Sequence, residues 1–128
     1  MNTPELKVSA TEDFMDPEEF KDCILSDKGI FLLAEEDKNI VGFIYANTED
    51  IEKTRIIKWS CIVYVAVNPK FRGRNLATEL YDSCIKELKT LGVTHVYAWA
   101  NPHSGVIEFL KKKGMALGHE CVWMDKEL

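Results

Sequence analysis

From Cys61 to Val67 the sequence reads Cys-Ile-Val-Tyr-Val-Ala-Val, apolar on both of the faces that a strand presents in alternation. A strand with no wet face has to be covered on both sides, which places it at the centre of a layered sheet. The wider stretch Ile56–Val67 is rich in β-branched and aromatic residues, and Asn68-Pro69 ends it. Around this strand the other elements fall into order. Asp16–Ser26 is predicted as a helix, with Asp16 as cap, Pro17 in its first turn and Phe20, Cys23 and Ile24 on one face. Ile30–Ala34 and Ile40–Ala46 read as an antiparallel hairpin across a polar turn at Glu35–Asn39. Leu76–Leu91 carries Leu76, Leu80, Cys84, Leu88 and Leu91 at helical spacing, and Gly92 follows as its stop. Thr94–Ala100 is predicted as a strand, Pro102–Lys113 as a helix ended by Gly114, and Met115–Met124 as a last strand. The fold class is therefore mixed α/β (α+β): antiparallel strands first, then strand-helix-strand-helix-strand, whose helical crossovers imply parallel pairing.

A chain of 128 residues with 46% hydrophobic and 29% charged residues is expected to form one domain, residues 1–128, without disulfide or metal support. No apolar run reaches the ~18–20 residues of a transmembrane helix, and polar Met1–Ala10 does not read as a signal peptide, so a cytoplasmic protein with no membrane partner is expected. The net charge of −5 argues weakly against nucleic acid as a partner and is compatible with a cationic one, while the plainer reading is that mild acidity serves solubility. Cys23, Cys61, Cys84 and Cys121 lack C-x-x-C spacing, and His95, His103 and His119 complete no zinc pattern. Reduced, mostly buried thiols and no metal are expected. Trp59, Trp99 and Trp123 are expected as core or half-buried packing on strands.

The chemistry concentrates in Val65-Ala66-Val67-Asn68-Pro69-Lys70-Phe71-Arg72-Gly73-Arg74-Asn75-Leu76-Ala77-Thr78. A buried strand ends, a short loop with two arginines and a glycine follows, and a helix begins. The first N–H groups of a helix have no internal partner and carry the positive end of its dipole. Gly73 permits positive φ and close backbone approach, and Arg72 and Arg74 bring planar donors suited to phosphate. A pyrophosphate is a natural guest for such a loop. The same composition also suits an ordinary solvated connection, so these residues alone leave both readings open.

Order and spacing favour the first reading. Arg72-Gly73-Arg74-Asn75-Leu76-Ala77, after Val67-Asn68-Pro69, resembles the [QR]-x-x-G-x-[GA] motif of the GNAT superfamily of N-acetyltransferases. Asn101, then Phe109-Leu110-Lys111-Lys112-Lys113-Gly114-Met115, resembles that family's strand-end asparagine and F-Y-x-x-x-G-F helix close. The resemblance covers about residues 30 to 128. It implies an acetyl-CoA-dependent N-acetyltransferase, with a sheet that opens in a V beside Val65–Val67. Acetyl-CoA would lie there on backbone groups of Val65, Ala66 and Val67. Its pyrophosphate would rest on Arg72, Gly73, Arg74, Asn75, Leu76, Ala77 and Thr78, and Asn101 would contact it from the neighbouring strand. The partner would be an amine-bearing small molecule or protein amine, and a homodimer is compatible with the short N-terminus.

Three departures from the family pattern bear on the chemistry. Asn75 stands where glycine is usual, and asparagine is the next most tolerant residue for positive φ. Leu110 replaces the tyrosine that protonates the leaving thiolate in many members. The N-terminus looks short beside family members, which begin with a strand and helix ahead of the segment near Asp16, and Leu6-Lys7-Val8 is too brief to read as that first strand. An alkyl amine with pKa near 10.4 is free base to about one part in a few thousand at pH 7, so a base or a water path to one is expected. No carboxylate lies between Ile56 and Val67. Tyr64 is the candidate to hold a water there, and Glu49, Asp50 and Glu52 are candidates to receive the proton. His103 and Ser104 are candidate acids for the thiolate, although a thiol pKa near 8.5 makes protonation optional. A non-catalytic acyl-CoA-binding module and a domain that binds no nucleotide are the alternatives.

Overall fold

The computed structural model describes residues 5–6, 21, 29–48, 56–71, 73, 75–100, 102, 105–120 and 122–128. Apart from Lys21, the helix expected at Asp16–Ser26 lies outside the described residues. A mixed sheet runs in the order β2 (Gly29–Glu36), β3 (Asn39–Asn47), β4 (Trp59–Val67), β5 (His95–Tyr97). The first two pairings are antiparallel and β4–β5 is parallel. β1 (Glu5–Leu6) and β6 (Trp99–Ala100) form a separate parallel pair. Two helices, α1 (Leu76–Thr90) and α2 (Val106–Lys112), follow β4 and β6.

The hairpin forms where alternation and the polar turn place it. Asp37 and Lys38 both take positive φ, 51° and 66°, as a two-residue type I′ turn requires, and the right-handed twist of the flanking strands favours that turn. α1 lies across β2, β3 and β4. Leu80, Cys84 and Leu88 point into a core with Ile44, Ile62, Val65 and Val106, and Leu76 packs at its margin. Leu91, expected on the same stripe, is exposed, because the helix ends at Thr90 and the chain turns away. That end is hydrogen-bonded: Gly92 N–H donates to the Lys89 carbonyl and Val93 N–H to that of Leu88, at 3.0 and 3.1 Å. α2 ends the same way, through Gly114 to Lys111 and Met115 to Leu110. Tyr81, outside the expected stripe, is buried edge-to-face against Phe109, and Lys113 reaches back to Asp82 at 3.2 Å.

Several expectations are corrected. The strand predicted over Thr94–Ala100 is two short pieces, because His95–Tyr97 pairs with β4 while Trp99–Ala100 pairs with β1. α2 is shorter than Pro102–Lys113. Among the described residues of Met115–Met124 there is no strand, and Leu117, Val122, Trp123 and Met124 are exposed. Apolar composition makes a segment fit for a sheet, but a strand exists only where a neighbouring backbone completes its ladder. Nor are the tryptophans core: Trp59, Trp99 and Trp123 are each 42–50% exposed, with Trp59 stacked on His95 at 4.7 Å between centroids. Cys61 and Cys84 are buried; Cys23 lies outside the described residues, as does Cys121.

Candidate functional site

The site begins with a disagreement between the two sides of β4. On the β5 side the pairing runs Trp59–His95, Ser60–Val96, Cys61–Tyr97 and then stops. On the β3 side it continues to Val67 opposite Gly42, but slips between Tyr45–Tyr64 and Ala46–Ile62, leaving Val63 as an extra residue. A bulge of this kind bends a strand and increases its twist. β4 therefore turns away from the line of β5 just past the last shared pair. The opposite end is pinned: Lys58 N–H donates to Thr94 Oγ1 at 2.8 Å, and Thr94 and His95 N–H groups donate to the Lys58 carbonyl at 2.9 and 3.1 Å. With one end tied and the other bulged, the two strands open as a V. The bulge is also where burial relaxes. Val63 and Tyr64 are half-buried, whereas Val65, Ala66 and Val67 beyond them are buried.

At the wide end of the V, β4 passes into a structured turn. Asn68 N–H donates to the Val41 carbonyl at 2.7 Å, which anchors the strand end to β3. The Asn68 Oδ1 accepts from Lys70 N–H at 3.0 Å and its carbonyl accepts from Phe71 N–H at 2.9 Å, closing a single 3₁₀ turn over Pro69–Phe71. An asparagine side chain that mimics a backbone turn does this at low cost. The Asn68-Pro69 pair, which in sequence marks the strand end, also carries the signal for this turn.

The loop then passes through Gly73 at φ 82° and Asn75 at φ 59°. Asn75 is exposed and its side chain makes no capping bond to the helix. The first turn of α1 is therefore uncapped by side chain: the Asn75 carbonyl accepts from Glu79 N–H at 3.0 Å, and the N–H groups of Leu76, Ala77 and Thr78 lie ahead of that first bond. A Cβ built on Gly73 would meet nothing within 4 Å, so the loop backbone faces open space. A helix start whose first N–H groups precede its first internal bond is suited to an anion, and it adjoins the stretch of β4 beyond Cys61 where pairing with β5 has ended.

The sequence-predicted residues fall into two groups. Tyr64, Val65, Ala66 and Val67 are brought together with Gly73, Asn75, Leu76, Ala77 and Thr78 by the β4–α1 connection. Arg72, Arg74, Asn101, His103 and Ser104, and the acidic residues Glu49, Asp50 and Glu52, lie outside the described residues. Leu110 is buried on α2, against the core, with no proton to give. Beside it lies a cavity of about 550 Å³ whose walls include Trp99, Leu110, Met115, His119 and Glu120. Its size is that of a small-molecule site. No sequence signal pointed to it, because its walls come from β6, α2 and the terminal segment. Two buried groups near the site's foundation have altered acidity. Burial, and then the charge of Glu87, pushes the Cys84 thiol up to about 12. Burial, then Asp82 and Cys84, raises the Tyr81 phenol.

A family model described as the acetyltransferase (GNAT) family matches residues 2–115. An uncharacterized N-acetyltransferase of Methanocaldococcus jannaschii is 31% identical over 99 residues, which is 74% of this chain and 42% of that protein. The chain thus spans less than half the length of that curated relative. Among solved structures, a ribosomal-protein-alanine N-acetyltransferase from Brucella melitensis biovar Abortus superposes with a TM-score of 0.67 at 17% identity, over 88% of this chain and 79% of the other. An aminoglycoside N-acetyltransferase crystallised in complex with CoA superposes with a TM-score of 0.64 at 15% identity, over 87% and 84%. At such identities these two likenesses concern the fold.

Proposed function

The chain belongs to the GNAT acetyltransferase family, and from that premise we propose that it is an acetyl-CoA-dependent N-acetyltransferase acting on a primary amine. The observation that carries the reading is the juxtaposition of an open V with an uncapped helix start, joined by a loop with two positive-φ residues. One of the fold neighbours, the aminoglycoside enzyme, was crystallised with CoA, which supports the same use of this cleft. Acetyl-CoA when bound supplies an activated acyl group as a thioester.

The residues of the chain do the rest. N–H groups of Leu76, Ala77 and Thr78, with the backbone at Gly73, receive the pyrophosphate, and Arg72 and Arg74 add charge there. Val65 and Val67 offer backbone N–H and C=O groups to the pantetheine arm in the V. A backbone N–H near Tyr64–Ala66 polarises the acyl carbonyl. The amine attacks that carbonyl directly, within a complex of all three components, and must lose a proton. Tyr64, half-buried at the bulge, holds the water that starts the proton's path, with Glu49, Asp50 or Glu52 as its destination. His103 or Ser104 protonates the thiolate where protonation is needed. Asn101 contacts the cosubstrate from the neighbouring strand end. The acceptor is a small-molecule or protein amine.

The test is the melting temperature with and without acetyl-CoA, beside an Arg72→Ala/Arg74→Ala variant. Ligand at about a hundred times its Kd adds roughly 2.7 kcal/mol, a shift of several degrees that the variant should lose. Absence of any shift at millimolar acetyl-CoA would end the reading. A second reading, a non-catalytic acyl-CoA-binding module, is favoured by the buried apolar Leu110. Thiol release from acetyl-CoA in the presence of an amine panel excludes it; binding without release supports it. The exposed apolar side chains of Leu117, Val122, Trp123 and Met124 are compatible with a homodimer, which light scattering tests against the 14.6 kDa chain.

A further inference from the structure

The narrow end of the V is not empty of protein. Continuing the β4–β5 register, in which Trp59, Ser60 and Cys61 face His95, Val96 and Tyr97, would set Val63 opposite Trp99 and Tyr64 opposite Ala100. Trp99 and Ala100 instead take Glu5 and Leu6 as partners, in parallel. β1 also comes within 8 Å of β4, Cα to Cα. A strand that is hydrogen-bonded to β6 and also approaches β4 occupies the edge of β6 that faces β4, inside the opening.

We propose that β1 is a built-in competitor for the cosubstrate: residues 5–6 hold the narrow end of the V by backbone pairing and must leave before acetyl-CoA can seat its acyl end beside Tyr64. The inference rests on the proposed function, since it is that ligand's place which β1 takes. The chemistry of the competition is symmetrical. A peptide strand and a pantetheine arm both present amide N–H and C=O groups, and both can bond to strand edges that face each other without pairing directly, as β4 and β6 do. The hold is weak by construction. A two-residue strand has few ladder bonds, and a segment this short opens at low free energy. It therefore acts as a toll on affinity, not as a lock. If only a fraction of molecules has the V open, the apparent Kd is the intrinsic Kd divided by that fraction. Anything that draws the N-terminus away, a partner chain or an acceptor among them, would raise affinity for acetyl-CoA without touching the cofactor loop.

The experiment compares acetyl-CoA binding by calorimetry in the full chain and in two full-length variants. Leu6→Pro puts a residue without an N–H, poorly suited to a paired strand, into this two-residue element and disfavours the paired conformation. Leu6→Cys/Ala100→Cys places a cysteine pair at directly opposed positions, so that oxidation fastens β1 in place. The expected results are roughly tenfold tighter binding by Leu6→Pro, the scale of one or two net backbone hydrogen bonds. Binding by the oxidised double variant should be lost and should return on reduction. Equal affinity in the full chain and Leu6→Pro, or undiminished binding by the oxidised pair, overturns the proposal while leaving the cosubstrate reading intact. No binding by any of the proteins, the reduced pair included, overturns both. The reduced pair serves as its own folding control, so a poorly folded proline variant does not remove the test.

Discussion

Asn75 offers a sharp test of the loop geometry. Its φ of 59° places it in the left-handed region, its side chain is exposed, and it makes no capping bond. Substitution there therefore acts on backbone conformation and little else. An ordinary L-residue pays roughly 1–2 kcal/mol in this region, asparagine less, and a β-branched residue the most. Asn75→Val should thus lower the unfolding free energy by about 1–2 kcal/mol. For a domain of this length that is a fall of about 3–10 °C in melting temperature, taking the per-kcal shift between those of smaller and larger domains. Asn75→Gly relieves the left-handed strain but loosens the unfolded chain, and the two effects, each about 0.5–1 kcal/mol, nearly cancel. Its melting temperature should stay within a degree or two of wild type. Both can be read by differential scanning calorimetry on the unliganded protein. Acetyl-CoA titration then separates stability from function: Asn75→Gly should bind at least as well as wild type, because it restores the family's usual residue, and Asn75→Val should bind less well. If the valine and glycine variants melt together, the left-handed turn at the helix start does not exist in solution, and the geometric case for the anion site goes with it.

Stability should fall above pH 9. The Cys84 thiol, pushed up to about 12, and the raised Tyr81 phenol stay protonated in the folded chain while their unfolded counterparts ionise. The unfolded state then binds fewer protons, so each such group removes up to about 1.4 kcal/mol per pH unit between its unfolded and folded pKa. Cys84→Ala should flatten the slope in urea melts between pH 9 and 11, and an unchanged slope would deny the thiol's part in it. Lys113→Ala removes the contact with Asp82 at 3.2 Å and a cation held 5.6 Å over the Tyr81 ring. Since Asp82 is largely exposed, the loss should be only about 0.5–1 kcal/mol and should shrink in 1 M salt. A salt-independent loss would assign the lysine's contribution to packing of its stem.

The amino-acid sequence by itself determined the elements that depend on near neighbours. The hairpin followed from alternation and a polar turn, α1 from apolar residues three and four apart, and its stop from Gly92. These are local effects, written in spacing and in the conformational limits of single residues. Only the tertiary structure decided where strands part company. The V opens because Val63 is an extra residue against β3 while Lys58 and Thr94 tie β4 to β5 at the far end, and neither bond partner is near the other in sequence. The same holds for the break in Thr94–Ala100, set by two different neighbours, and for Met115–Met124, whose apolar composition met no ladder among the described residues. It holds above all for Glu5–Leu6, too brief to announce a strand, which gained one by meeting the edge that the splay left free. Helical order comes from bonds within a segment; sheet order comes from bonds between segments, and a linear reading sees only the first.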